Sequence, residues 1–231
     1  MNFELEEQMR KPVKSWLENR QDLIKEEFRV PWGYCDVVGC SLNKKGISKR
    51  IKLNQRKPIG PQSRVHLLWQ IPREKADNSV KVEDLVSIYD GFRGGEKINE
   101  DLQYLEERNF IRKSSLGGYQ RIDGWYPLQN DIIAIELKLK NVKRALRQAK
   151  SHLSYANNSY VALPRPLAER IIRSDREDEF RRNGVGLLGV SPNWCRTMIN
   201  PTNKEQKEEY YDEILQIHCV ERFWRGYIRS N

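Results

Sequence analysis

The segment DIIAIELKL, residues 131–139, constrains the fold more than any other part of the chain. Its side chains fall into two alternating sets, as in a strand whose successive residues point to opposite faces. One set is apolar: Ile133, Ile135, Leu137 and Leu139. The other set mixes sizes and charges: Ala134, Glu136, Lys138 and Lys140. The segment therefore predicts a strand that brings an acid and a lysine onto one face, where each needs a partner if that face is buried.

Strands and helices alternate on both sides of this segment. Asn141 is typical of a helix N-cap, and the apolar stripe of the helix after it is Val142, Ala145, Leu146, Ala149, Leu153 and Ala156. A strand at 159–163, a helix near 166–172, a strand at 184–190 and a final helix from about Gln206 follow. A helix over 3–19 and a strand from Cys35 to Cys40 precede it. This order predicts an α/β fold, with a sheet covered by helices.

Residues 61–123 have a different order of predicted elements and therefore predict an insertion into that core. Apolar spacing indicates three short helices, and residues 110–112 and 119–122 read as a hairpin, which together is the winged-helix order. We therefore predict an α/β core from residues 1–60 and 124–231. The third helix is acidic and would repel phosphate. If the insertion contacts nucleic acid, it would do so through its wing, at Arg112, Lys113 and Arg121, or through the basic stretch that precedes it. An equally good account makes it a packing or dimerisation unit.

Composition excludes several classes of protein. The 231 residues are 38% hydrophobic and include six tryptophans, which is too apolar for a disordered chain. The longest apolar runs are far shorter than the roughly 20 residues that span a bilayer. The amino terminus MNFELEEQMRK is acidic where a signal peptide is basic. These features predict a cytoplasmic protein.

The charge of the chain favours a polyanionic partner. The formal net charge is +9, and the segments 41–60 and 137–168 contain no acid. Clustered Lys and Arg attract nucleic acid through steering and counterion release. DNA is the partner that we predict.

The cysteines allow a weak zinc interpretation. Cys35, Cys40, Cys195 and Cys219, with His218, are zinc-ligand types, but structural zinc sites usually show two tight Cys pairs. Their spacing instead predicts reduced thiols that are mostly buried.

Glu136 and Lys138 admit two interpretations. They could form a salt bridge on a solvated sheet face. Alternatively, Glu136 and the Leu137 carbonyl could bind a hard divalent cation, with Lys138 positioning or deprotonating a water. Asp36 favours the second interpretation, because it is the only acid in the apolar segment CDVVGC and adds a second carboxylate.

With these residues in this order, the sequence resembles the PD-(D/E)XK nuclease superfamily, which has the restriction-endonuclease-like fold. The resemblance rests on a leading helix, a strand with an acid, a strand with E-x-K, a basic helix and a further strand. It implies that Asp36 and Glu136 hold Mg²⁺, or alternatively Mn²⁺, and that Lys138 assists the water. Asp131 is excluded as the acid, because it points to the opposite face about 17 Å away along the strand. Asp123 is retained as the alternative.

The resemblance also suggests further site residues. Gln148 matches a helix glutamine found in several branches, although His152 stands where some branches have tyrosine. For His152 alone, a structural or exposed role is favoured. Glu7 matches the leading-helix glutamate, with Glu4 and Glu6 as competing neighbours. DNA-backbone contacts are expected from the basic helix, at Lys143, Arg144, Arg147 and Lys150, or else along residues 44–57.

Together these features predict a Mg²⁺-dependent DNA endonuclease or related nuclease that hydrolyses phosphodiester bonds. The first rival is a DNA-binding regulator that keeps the scaffold without activity. The second is a protein-interaction module whose charge serves solubility. A homodimer is a further partner arrangement that the sequence allows.

Overall fold

The computed structural model describes residues 3–74, 78–89, 94–115, 117–201 and 212–230, with side chains through residue 224 in the last range. After a 3-10 turn at Glu6–Met9, the elements in chain order are α1 Arg10–Glu18, β1 Leu23–Val30, β2 Gly33–Leu42, α2 Lys44–Lys52, α3 Gln62–Gln70, α4 Val82–Ile88, α5 Gly95–Glu107, β3 Ile111–Lys113, β4 Tyr119–Arg121, β5 Gln129–Leu137, α6 Val142–His152, β6 Asn158–Pro164, α7 Arg165–Ile171, α8 Arg176–Arg182, β7 Gly186–Ser191, β8 Trp194–Ile199 and α9 Glu213–Ser230. None of these described helices combines the length and the apolar character that crossing a bilayer requires.

The chain forms two compact units. The first comprises residues 1–42 and 129–216, and the second comprises residues 43–128 and 217–231. The insertion predicted from the sequence, residues 61–123, was shorter than the second unit, because residues 43–60, 124–128 and the whole carboxy-terminal helix were assigned to the core. In the structure residues 43–60, 124–128 and 217–231 belong to the second unit. One physical reason is the buried ion pair between Arg50 in α2 and Glu221 in α9, which ties both helices to that unit.

The first unit is built on a six-stranded mixed sheet in the order β1-β2-β5-β6-β7-β8. Strands β1, β2 and β5 are antiparallel, β5, β6 and β7 are parallel, and β8 is antiparallel to β7. Helix α1 packs on one face, and α6, α7 and α8 pack on the other. The predicted α/β class, with a sheet covered by helices, is therefore confirmed.

Strand β5 shows the predicted alternation. Ile133, Ile135 and Leu137 are buried in the cluster that contains the apolar residues of α1, and Leu139 packs against that cluster. The apolar stripe of α6 is buried in the opposite cluster. Asn141 is the N-cap of α6, and its side chain accepts a hydrogen bond from the Arg144 N–H at 3.3 Å. These contacts fix the carboxyl end of β5 against the first turn of α6.

The second unit contains the three helices and the hairpin in the predicted places, as α3, α4, α5 and the β3–β4 pair. Helices α2 and α8 and strand β8 were not predicted. In α2, one of the two buried residues is Arg50, so counting apolar positions undervalues the buried face. The predicted start of the last helix near Gln206 lies outside the described residues.

Candidate active site

The candidate site lies in the first unit, where β2 and β5 meet. The two strands pair from Leu42 and Gln129 to Val37 and Ile135. Asp36 precedes Val37 in β2, just beyond the last of these pairs. Its carboxylate accepts a hydrogen bond from the Leu137 N–H at 2.7 Å. This contact holds Asp36 at the end of β5, beside Glu136. The structure thus brings together two acids that are separated by 100 positions in the sequence.

The Lys138 ammonium lies at the centre of the site. Its Nζ is 2.8 Å from the Leu137 carbonyl oxygen. Three carboxylates surround it, at 3.1 Å for Glu6, 3.3 Å for Glu136 and 4.0 Å for Asp36. We call these three acids the carboxylate cluster. Three carboxylates have more negative charge than one ammonium neutralises. Their oxygen atoms and the Leu137 carbonyl oxygen all lie within 4.0 Å of the same ammonium.

The electrostatics of the cluster follow from this crowding. Burial raises the pKa of Asp36, and the nearby charge of Glu136 raises it further. Burial alone would lower the pKa of Lys138, but Glu136 and Asp36 outweigh that effect and raise it. Lys138 is therefore protonated at neutral pH and donates hydrogen bonds. In this state the ammonium can donate hydrogen bonds but cannot accept a proton.

The leading-helix glutamate at the site is Glu6 rather than the predicted Glu7. Glu6 accepts hydrogen bonds from Lys138 and from the Leu139 N–H, at 3.1 and 3.3 Å. Glu7 instead pairs with Arg10 at 2.6 Å, and its side chain is 68% exposed. Glu6 and the buried Met9 are three residues apart in the 3-10 turn and lie on the same side of it. Glu6 was one of the two neighbouring glutamates that the sequence left open as alternatives to Glu7.

A second group of side chains lies behind Glu136. Ligand atoms of Cys35, Glu136 and His152 lie within 4.8 Å of one another, and all three residues are buried. Nε2 of His152 is 3.4 Å from a Glu136 oxygen. Burial alone would lower the pKa of His152, but Cys35 and Glu136 raise it to about 10. His152 is buried and lies beside Glu136.

The four cysteines are free, and Cys35, Cys40 and Cys219 are buried, as predicted. The mixed sulfur, nitrogen and oxygen donors of Cys35, His152 and Glu136 suit a softer metal than the oxygen atoms of the carboxylate cluster do. The zinc interpretation from sequence grouped the cysteines with His218. In the structure His218 lies instead 3.2 Å from the Gly60 carbonyl oxygen, in the second unit.

The remaining predicted residues take different positions. Gln148 is half-buried, and its Oε1 atom is buried without a hydrogen-bond partner among the described residues. Asp131 accepts hydrogen bonds from Gln21 and Asn158, each at 3.1 Å, away from the carboxylate cluster. Asp123 belongs to the second unit, where its nearest cation is Arg73 at 3.9 Å.

A cleft of about 1470 Å³ opens beside Lys138 and Glu6. Its cationic lining residues are Lys138, Lys140, Lys143, Arg144, Arg170 and Arg176. The first turn of α6, whose N–H groups favour anions, also lines it. Two of the four predicted DNA-binding residues, Lys143 and Arg144, therefore face the cleft. The other two, Arg147 and Lys150, line a separate hollow.

Comparison with protein-family models, with curated proteins and with solved structures finds no match. The geometry of the carboxylate cluster and the cleft is therefore the basis for assigning a function. Two features of that geometry had weak sequence signals. Glu6 was one of three neighbouring glutamates, and the residues that Cys35 lies beside, Glu136 and His152, are more than a hundred positions away in the sequence.

Proposed function

We propose that this protein is a divalent-metal-dependent nuclease that hydrolyses phosphodiester bonds in DNA. The observation that carries the proposal is the set of oxygen atoms around the Lys138 ammonium, at the edge of a basic cleft. Carboxylate and carbonyl oxygens are the donors that Mg²⁺ prefers, and Mn²⁺ accepts the same set. The ammonium marks a place where the chain stabilises positive charge.

The residues of the cluster fit this ion by charge and donor type. Asp36, Glu136 and the Leu137 carbonyl would hold it, and Glu6 adds a further carboxylate near Lys138. A bound divalent ion supplies charge that polarises the phosphate and its attacking water. Lys138 remains close enough to donate hydrogen bonds to that water. The cationic side chains of the cleft would position the phosphate backbone without reading bases.

The architecture of the first unit supports the restriction-endonuclease-like assignment. A leading helix precedes three antiparallel strands, and a basic helix then connects to a parallel strand. This is the order that the resemblance to the PD-(D/E)XK superfamily implies. Residues 43–128 interrupt it between β2 and β5, as an insertion would.

The test of this function is a cleavage and mobility-shift assay on supercoiled, linear and branched DNA. We expect cleavage with Mg²⁺ or Mn²⁺ and none with excess chelator. The Asp36→Asn variant keeps the oxygen that accepts from Leu137 but loses the charge, and it should not cleave. Salt-dependent binding without cleavage under any divalent ion would support the inactive regulator instead. Neither binding nor cleavage would support the protein-interaction module.

Metal binding should also raise the free energy of unfolding of the protein. Mg²⁺ at a hundredfold above its Kd should stabilise the wild type by about 2.7 kcal/mol, because the ion binds the folded chain alone. Asp36→Asn should lose most of this gain, whereas Asp131→Asn, on the neighbouring strand β5, should keep it. Thermal unfolding with and without Mg²⁺ measures both. Equal stabilisation of Asp36→Asn and the wild type would contradict a site at Asp36.

The pH dependence of the metal-free protein has a definite sign. Because burial and Glu136 raise the pKa of Asp36, its contribution to stability is full below the unfolded pKa of about 3.9 and is lost as pH rises through the folded pKa. Metal-free Asp36→Asn should therefore gain stability relative to the wild type as pH rises towards neutral.

The cleft predicts a matched pair of charge variants. Replacing Lys143 and Arg144 with alanine should weaken duplex binding on unrelated sequences alike, and should lower the slope of log affinity against log salt by about two at most. Replacing the exposed Lys44 and Lys45 of the second unit removes the same charge and should change the slope little. Fluorescence anisotropy across a salt series compares them. A larger loss from Lys44 and Lys45 would place the DNA path along residues 44–57.

A further inference from the structure

Two large aromatic side chains are exposed to solvent where β1 turns into β2. Trp32, in the turn, is 48% exposed, and Tyr34, near the start of β2, is 57% exposed. Single exposed apolar residues are common, but exposed rings that neighbour one another can mark a binding surface. Neither ring contributes to the carboxylate cluster or to the cleft.

Trp32 is held from one side by a column of aromatic rings. Its ring centroid lies 6.4 Å from that of Tyr155, which is fully buried. Tyr155 in turn stacks on the buried Phe28, at 6.2 Å and an angle of 27°. The indole therefore rests on a rigid base, and about half of its surface faces outward. A ring positioned in this way loses little freedom when a flat ligand stacks on it.

The outward side of Trp32 borders a hollow of about 360 Å³ on α6. The other lining residues are Arg147, Lys150, Ser151 and Ser154. The surface of this hollow therefore consists of an aromatic ring, two cations and two hydroxyl groups. Its described lining residues include no acid. That combination matches a nucleotide, because bases stack on aromatic rings and phosphates pair with Arg and Lys.

The hollow and the cleft are linked by one helix. Lys143 in the cleft and Arg147 and Lys150 in the hollow lie at i, i+4 and i+7 of α6, on a single stripe. Seven residues of helix span about 10 Å, so a strand that follows this stripe meets both sites. A duplex base is covered by its neighbours and presents no free face to an indole, whereas an unpaired base does.

We propose that the hollow at Trp32 binds an unpaired nucleobase, with Arg147 and Lys150 on the flanking phosphates, so that the protein engages single-stranded segments of DNA. As a statement about substrate, it rests on the proposed nuclease function. The binding itself does not need catalysis. A membrane surface is the other partner that an exposed Trp and basic groups could meet, but the aromatic base under Trp32 favours flat stacking over insertion.

The test is binding of a labelled oligo-dT strand and of a blunt hairpin duplex, by fluorescence anisotropy in excess chelator. Trp32→Ala should weaken binding of the single strand about tenfold and of the duplex less than twofold. Trp32→Phe should retain most of the affinity, because a phenyl ring still stacks. Tyr34→Ala is the matched control, since Tyr34 is an exposed aromatic outside the hollow, and it should leave both affinities within twofold. Thermal unfolding of each variant verifies its fold.

Each contrary outcome has a distinct meaning. Equal losses on strand and duplex, or no loss in Trp32→Ala, would overturn the proposal. Trp32-dependent sedimentation with phosphatidylserine vesicles, without single-strand binding, would overturn it in favour of a membrane. Because binding is measured without metal, a single-strand effect in a protein that never cleaves would support the hollow and refute the nuclease. Cleavage by the wild type, with no effect of Trp32→Ala on single-strand binding, would support the nuclease and refute base binding in the hollow.

Discussion

Replacing Lys138 with alanine is expected to lower the rate of DNA cleavage by about 10²–10³-fold, the usual cost of removing one preorganised hydrogen-bond donor from an active site. The ammonium contacts the Leu137 carbonyl, Glu6 and Glu136 together. Its loss removes the donor that would orient a water beside the carboxylate cluster. Affinity for DNA should change little, because the other cations of the cleft remain.

Lys140→Ala is the matched control for this prediction. Lys140 lines the same cleft, but within the described part of the chain it forms no hydrogen bond with the carboxylate cluster. It should reduce affinity slightly and leave the rate at saturating DNA unchanged. The measurement is single-turnover cleavage by both variants. Mg²⁺ is present, so that the carboxylates left without Lys138 are neutralised. Retention of the wild-type rate in Lys138→Ala would contradict the role given to Lys138.

The second large effect is on stability, in the second unit. Glu221→Gln should lower the free energy of unfolding by about 3–5 kcal/mol, since it leaves the charge of Arg50 buried and unpaired. Arg50 is fully buried, and its guanidinium contacts both Glu221 oxygens and lies 4.2 Å from the Trp224 ring centre. Glu221 also accepts the Ile59 N–H at 2.7 Å. The pair therefore connects three segments of the unit.

An exposed pair provides the control for the Glu221 variant. Glu177 and Arg181 form a salt bridge at i, i+4 on α8 with both side chains at least 30% exposed. Glu177→Gln should cost less than about 0.5 kcal/mol. Urea unfolding followed by tryptophan fluorescence measures both variants. In the double variant Arg50→Met with Glu221→Leu, most of the loss should be recovered, because no unpaired charge remains. A cost below 1 kcal/mol for Glu221→Gln would show that water reaches Arg50.

Strand β5 and helix α6 could be predicted because their signals are local. Alternation identified the face of Ile133 and Ile135, and Asn141 marked the start of the helix. The pairing of Asp36 with Glu136 was predicted from two arguments: an acid in an apolar strand needs a cation, and the resemblance to the nuclease superfamily implies a second acid beside E-x-K. The neighbouring positions of β2 and β5 in the sheet agree with it. No periodicity could supply that contact across the intervening unit.

The missed features depend on contacts that a linear pattern does not contain. Glu6 belongs to a 3-10 turn in which Met9 is buried, and its contacts with Lys138 and the Leu139 N–H join residues more than 130 positions apart. Helix α2 is stabilised by Arg50, a residue that any hydropathy pattern counts as exposed. Trp32 carries no sequence signal for the hollow, because the residues opposite it come from a helix more than a hundred positions later.

The central claim is that the carboxylate cluster binds a divalent ion, and anomalous diffraction from crystals soaked in Mn²⁺ tests it most directly. We expect a peak within coordination distance of Asp36, Glu136 and the Leu137 carbonyl, with the Lys138 ammonium moved from its present position. Crystals of Asp36→Asn should show a much weaker peak. Mn²⁺ bound elsewhere in the chain, with no density at the cluster, would contradict the account.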